Sequence, residues 1–313
     1  MPWDRWSYMD HWLTPTPQGL RHPSFNRRHM DAYVRQLAAL GFTGFDTFGF
    51  TLPQYAALYG SVHEFEAFLQ SEGFVGITGV FAAYPYATDY RAPHRRETHE
   101  RILGDIEALA RMVEDTAVEN VIVMPTNTYF HVEPVTPDKT LATAELWDRA
   151  GAMLRERDLR LACHFEFWGA IRTVEELDFF LGHTAPENVA FFCDTAQHTI
   201  AGVDPIEVFR RYRDRCAGFH FKDTRAIDTS EAYRTPPDAE LLAAGVPRWF
   251  VEMGRPDGIV DFPALMAEIT ASGWEGWLTV EHDKVEIEGG DYAEATAVAK
   301  WYIDNVLNEV TGR

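Results

Sequence analysis

The chain has 313 residues, 46% hydrophobic and 24% charged, with 48 acidic against 28 basic side chains and a formal charge of -20 at pH 7. That balance argues against a nucleic-acid backbone or an anionic membrane surface as partner, both of which reward positive charge. No apolar run approaches the roughly 18 residues of a membrane helix, and the start MPWDRWSYMDHW lacks the basic region and apolar core of a secretory signal. A soluble, cytoplasmic protein is expected. Cys163, Cys193 and Cys216 fall in or beside buried strands, which fits small core residues in a reducing compartment better than a disulfide framework.

In chain order, WSYMDHWL (6–13) reads as a first strand. A helix follows over NRRHMDAYVRQLAALG, with Met30, Val34, Leu37 and Leu40 at helical spacing and Gly41 at the exit. FTGFDTFGF is a strand. SVHEFEAFLQSEG is a short helix whose Ser61 and Glu64 form a capping-box pattern. FVGITGVFAAY is the third strand, and 95–118 is a long helix with Ile102, Ile106, Leu109 and Val113 on one face. NVIVMPTN gives a strand ending at Pro125, and 138–158 gives a helix.

LRLACHFEF is the fifth strand, TVEELDFFLG a helix and NVAFFCDT the sixth strand. DPIEVFRRYRDR is a helix with Asp204 as cap and Pro205 in its first turn. CAGFHFKDT is the seventh strand. An irregular loop insertion rich in proline, glycine and charge runs over 225–260. DFPALMAEITASG is a helix, EGWLTVEHD the eighth strand, and a closing helix over 291–310 should cover the barrel with Val298, Trp301, Tyr302 and Val306.

Eight mostly continuous apolar strands alternating with helices are the pattern of a parallel sheet buried on both faces. Residues 1–313 are therefore read as a single (β/α)8 TIM barrel domain. The competing doubly wound sheet would carry a glycine-rich phosphate turn after its first strand, and no GxGxxG occurs there.

In such a barrel the C-terminal strand ends converge on one mouth that carries the chemistry. Here those ends supply His11, Asp46, His164, Glu166, Asp194, His220 and Glu281. His164 and Glu166, two apart, share a strand face. Unpaired charge is costly to bury, so the groups need partners. Each acid alone could merely cap a helix or pair with a base, but together Glu166, Asp194, His220 and Glu281 make a three-carboxylate, one-imidazole metal set. Oxygen-rich ligation suits Mn²⁺, with Co²⁺ or Mg²⁺ as alternatives, better than structural zinc. His11, Asp46, Gln197, His198 and Lys222 are candidate substrate contacts. Asp223 could orient a neighbour or act itself.

The runs CHFEFWG, FFCDTAQHTIAGVDPIEVFRRYRDRCAGFHFKDT and RPDGIVDFPALMAEITASGWEGWLTVEHD resemble the xylose-isomerase-like barrels of the sugar phosphate isomerase/epimerase superfamily. Within it they are similar to inosose dehydratases and to the catalytic subunits of C-glycoside deglycosidases. The resemblance implies a Mn²⁺-type site on Glu166, Asp194, His220 and Glu281. Two departures stand out: Asp194-Thr195-Ala196-Gln197 where relatives often carry Asp-Thr-Gly-His, and His164-Phe165-Glu166 where dehydratases tend to show consecutive histidines.

The implied chemistry is removal of a proton next to a carbonyl, with His164 as base and Glu166 or Glu281 as the other candidates. Elimination from a 3-oxo sugar would make the protein a lyase, best named a C-glycoside deglycosidase catalytic subunit. The alternatives are a keto-sugar epimerase or isomerase, an inosose-type dehydratase, or a sugar-binding or interaction subunit. The aromatic N-terminus and the long loop point to a glycoside bulkier than a bare sugar. Expected partners are a small second subunit or further copies of the chain, in a dimer or tetramer. An apurinic endonuclease, which shares the barrel, is opposed by the charge and the single ligand set.

Overall fold

The computed structural model describes residues 3–10, 26–82, 92–126, 135–167, 169–230, 250–282 and 292–311. Eight parallel strands close into a barrel: β1 (Trp6–Met9), β2 (Gly44–Phe48), β3 (Gly76–Phe81), β4 (Asn120–Val123), β5 (Arg160–His164), β6 (Val189–Asp194), β7 (Cys216–Phe221) and β10 (Trp277–Val280). They pair in the order β1-β10-β7-β6-β5-β4-β3-β2. Between β7 and β10 the chain adds a two-stranded antiparallel pair, β8 (Asp223–Thr224) with β9 (Phe250–Val251). The segment 231–249, most of the expected irregular loop, lies outside the described residues.

Strand parity sets what faces the barrel interior. Ala162, Phe192 and Ile122 belong to a small inner apolar plug with Met9 and Phe81, while Leu161, Cys163, Phe191 and Leu278 pack outward on the helices. Two residues beyond Ala162, Phe192 and Thr279, the same inward face presents His164, Asp194 and Glu281. All three cysteines are free and buried, and burial pushes each thiol's pKa up. They are core residues.

The helices are α1 (Arg27–Leu40), α2 (Leu52–Tyr59), α3 (Val62–Ser71), α4 (His99–Met112), α5 (Pro137–Arg155), α6 (Val174–Gly182), α7 (Thr195–Ile200), α8 (Pro205–Tyr212), α9 (Phe262–Ser272) and α10 (Tyr292–Tyr302). Local chemistry starts and stops them. Ser61 accepts the Glu64 N–H at the head of α3, Thr173 and Glu176 form a reciprocal capping box on α6, and Gly41 ends α1 at φ 86°. No helix among the described residues is long and apolar enough to cross a membrane.

The closing helix corrects one expectation. Trp301 is 61% exposed, and the buried face is Ala295, Ala299, Ile303 and Leu307. The turn Ile303–Leu307 is a π-helix. Its wider i→i+5 winding keeps a four-spaced stripe on the barrel where a regular helix would rotate it away.

A second correction concerns Asp46. Its carboxylate accepts hydrogen bonds from Ser7 Oγ (2.9 Å), Thr78 Oγ1 (2.5 Å) and Thr279 Oγ1 (2.8 Å), so four strands share one buried acid. Burial raises its pKa, and the three hydroxyls partly offset that. A side chain at Gly79 would put its Cβ 2.7 Å from Asp46 Oδ2, which is why glycine stands there. Asp46 serves barrel closure, with its acceptor capacity taken up by protein hydroxyls.

Candidate metal centre

β5, β6, β7 and β10 deliver His164, Asp194, His220 and Glu281 to the barrel mouth, where one potential ligand atom from each lies within 4.8 Å of all the others. All four are buried, Asp194 at 0% exposure. His164 Nε2 donates to Asp194 Oδ2 at 3.1 Å, and His164 Nδ1 is 3.3 Å from Glu166 Oε1. His220 Nδ1 is 2.8 Å from Glu281 Oε2, yet both His220 ring nitrogens lack a hydrogen bond of acceptable geometry. Glu166 Oε2 is likewise buried without a hydrogen bond.

Close donor atoms that point at a common space without bonding one another are what a cation requires. The four residues form a divalent-metal site. Asp194, His220 and Glu281 were expected there, and His164 completes the group in the position expected of Glu166, which stands one contact behind it.

Local structure explains the placement. Asp194 splits its two oxygens: Oδ1 accepts the Gln197 N–H at 2.8 Å as N-cap of α7, leaving Oδ2 for the cluster. Thr195 Oγ1 accepts the Lys222 N–H (3.0 Å) and donates to the Lys222 carbonyl (2.6 Å), fixing the segment that carries His220 and Lys222. Neither role for Asp194 nor for Thr195 was read from the sequence.

Electrostatics bind the group further. Lys222 is 2% exposed and puts Nζ 3.2 Å from Glu281 Oε2 and 3.5 Å from Asp194 Oδ2. Its other side lies 4.4 Å from the centre of the Phe250 ring on β9, a cation–π contact that draws the two-stranded pair over the mouth. Burial disfavours charge on His164, but its hydrogen bonds to Asp194 and Glu166 outweigh that and raise its pKa to about 10. Burial raises the Glu166 pKa, with partial relief from His164 and Lys222.

The remaining expected contacts separate from the cluster. Gln197 Oε1 accepts the Phe167 N–H at 3.2 Å, tying the segments after β5 and β6 together. The His198 ring packs on Phe191 with centroids 5.6 Å apart, on the helix side of β6, and burial lowers its pKa to about 4. It is a neutral packing histidine, because α7 turns its side chain away from the mouth. His11 lies outside the described residues. Its neighbour Asp10, unremarked in the sequence, is fully buried and accepts a hydrogen bond from the Tyr55 hydroxyl.

Asp223 orients its surroundings. Oδ1 accepts the N–H groups of Thr224 (2.8 Å) and Val260 (3.1 Å), pinning both ends of the inserted loop. Burial raises its pKa to about 6 despite these bonds. A folded-state pKa above the unfolded 3.8 favours the folded protein at low pH, and that gain is lost as pH rises through about 6. Asp223→Asn keeps the acceptor and removes the charge. Its melting temperature should exceed the wild type's by a few degrees at pH 7, the gap closing toward pH 4; a pH-independent difference in scanning calorimetry would contradict this.

A closed parallel barrel with a buried His/Asp/His/Glu cation site at its mouth defines the class. The chain matches the xylose isomerase-like TIM barrel family over residues 34–302 and belongs to it. It is 30% identical to an inosose dehydratase of Lacticaseibacillus casei over 178 residues, 55% of this chain and 58% of that protein. With an inosose dehydratase of Geobacillus kaustophilus it shares 27% identity over 226 residues, 69% of this chain and 72% of the relative. A xylose isomerase-like TIM barrel protein from Mycobacterium smegmatis, crystallised in complex with magnesium, superimposes with a TM-score of 0.66 at 16% identity, covering 99% of this chain and 98% of the other. The chain thus spans little more than half of the first of these dehydratases.

Proposed function

We propose that the protein is a divalent-metal-dependent lyase that removes the proton from a carbon next to the carbonyl of a keto-polyol and expels the β-substituent. The observation that carries this reading is the buried His164/Asp194/His220/Glu281 cluster with Glu166 and Lys222 against it. Mn²⁺ is the proposed ion, held by the cluster with Glu166 in reserve. When bound, such an ion polarises the carbonyl oxygen and its neighbouring hydroxyl, a Lewis-acid contribution of several kcal/mol.

The chain's own groups supply the proton traffic. His164 takes the proton from carbon at a ring nitrogen, and Glu166, 3.3 Å away, holds the resulting imidazolium. The C–H electron pair becomes the new double bond as the β-bond breaks. Lys222 Nζ is the ammonium placed to protonate the departing group. With hydroxyl as that group the reaction is dehydration, the reading that the inosose dehydratase similarity supports best.

A second reading, loss of an aryl carbanion from a 3-oxo-C-glycoside with a small partner subunit, is favoured by the His164-Phe165-Glu166 and Gln197 departures. Mn²⁺-loaded protein should be incubated in D₂O with an inosose, a 3-oxo-C-glucoside and a ketohexose, and the products read by mass spectrometry and NMR. Loss of water supports the first reading and free aglycone the second. Deuterium exchange without elimination makes the protein an epimerase. Inertness toward all three overturns the proposal in favour of a sugar-binding subunit.

A further inference from the structure

The mouth has two unlike halves. Opposite the cation cluster, the ends of β2 to β4 are apolar. Phe50 stacks on Phe48 (centroids 4.9 Å, planes 11° apart), Phe48 meets Phe81 edge-on (5.7 Å), and Phe81 meets the His164 imidazole edge-on (5.1 Å). Phe81 also lies 6.1 Å from His220. Phe48 and Met124 pack on the inner plug from the rim, and Phe48, Phe50 and Met124 are each only partly buried. A row of rings therefore leads without a break from the cation site to the rim.

We infer that this row is a subsite for an aromatic or similarly flat apolar substituent on the molecule whose oxygens face the cation cluster. A bare polyol has hydroxyls on every carbon and gains nothing from three phenyl rings, whose faces and edges reward apolar or π partners. Continuity fixes the occupant: Phe81 touches both the ligand histidines and the ring row, so one molecule anchored at the cluster lays its substituent along Phe81 toward Phe48 and Phe50. The inference rests on the proposed keto-polyol chemistry and names its substrate class as amphipathic, one end an oxygen pair and the other an aryl group.

Two chelators separate this inference from that reading. Hydroxamates present an oxygen pair much as an α-hydroxyketone does, so 3-phenylpropanohydroxamate and propanohydroxamate differ only in the ring. Their dissociation constants are to be measured by calorimetry on the Mn²⁺-loaded protein, corrected for each compound's affinity for free Mn²⁺. The phenyl compound should bind about tenfold tighter or more, the gain expected from burying one ring. In Phe50→Ala the ratio should fall below about threefold, and in Phe50→Trp it should persist, because stacking tolerates ring exchange.

A ratio near one in the wild type, or a ratio untouched by Phe50→Ala, overturns the subsite while leaving the cation site standing. Failure of both compounds to bind refutes the cation site itself and, with it, the inference. Should Phe50→Ala unfold on heating far below the wild type, Met124→Ser makes the same comparison from the other rim, with the same fall in ratio expected.

Discussion

Asp194→Asn is expected to leave the barrel folded and its divalent cation lost. The two oxygens of Asp194 do separate jobs, Oδ1 capping α7 through the Gln197 N–H at 2.8 Å and Oδ2 facing His164, Lys222 and His220 at 3.1, 3.5 and 3.9 Å. Asparagine caps helices about as well as aspartate, so the change in stability through the cap should stay within about 1 kcal/mol. The second role does not survive, because an amide brings no charge to a site whose other carboxylates already share Lys222. Even partners one shell beyond a metal cost roughly 10- to 100-fold in affinity when removed, and a ligand at 0% exposure should cost at least ~100-fold. Metal analysis after dialysis, with calorimetric titration of Mn²⁺, checks this. Stoichiometric ion at wild-type affinity would remove Asp194 from the ligand set.

The same residue shows what the sequence could and could not disclose. Asp46 and Asp194 both end apolar strands, and nothing local distinguishes them. Their fates differ because Ser7, Thr78 and Thr279, on three other strands, converge on Asp46 and satisfy it, whereas Asp194 meets imidazoles and an ammonium. That distinction belongs to barrel closure, and no window of sequence contains it. The strand cores were legible because both faces are buried: β4 and β7 lie inside the expected runs with no competing pattern.

Short elements were not legible. α7 is six residues long, with Ala196, Gln197, His198 and Ile200 all buried, so it shows no polar face, and its capping by Asp194 was hidden by that residue's role as a ligand. α2 was missed for a related reason, its eight residues carrying no charge to mark a solvent side. The Lys222–Phe250 contact depends on the pairing of β8 with β9 across a long insertion, which neither segment announces alone.

His164→Ala is expected to lower the rate of carbon-bound proton exchange by about 10²- to 10⁴-fold, the usual worth of a positioned base, while retaining most of the bound cation. The ring stands between two acids, Asp194 Oδ2 at 3.1 Å and Glu166 Oε1 at 3.3 Å, and can act as a ligand or as a base in a given state, not both. Glu166 Oε2, buried with no hydrogen bond, gives the site a spare hard donor, and hard divalent ions accept carboxylate oxygen at least as readily as imidazole. Removing the ring therefore removes the proton acceptor without emptying the ligand set. The two carboxylates that hold the His164 pKa up to about 10 also make it a strong base once a cation's charge has displaced its proton. The wild-type rate should accordingly rise with pH along a limb that His164→Ala lacks. Deuterium incorporation from D₂O, measured beside metal content across that range, reads both consequences at once. A loss of cation equal to that of Asp194→Asn would make His164 a ligand first, and the proton would then pass to Glu166 or Glu281, each of which can be tested by its glutamine variant.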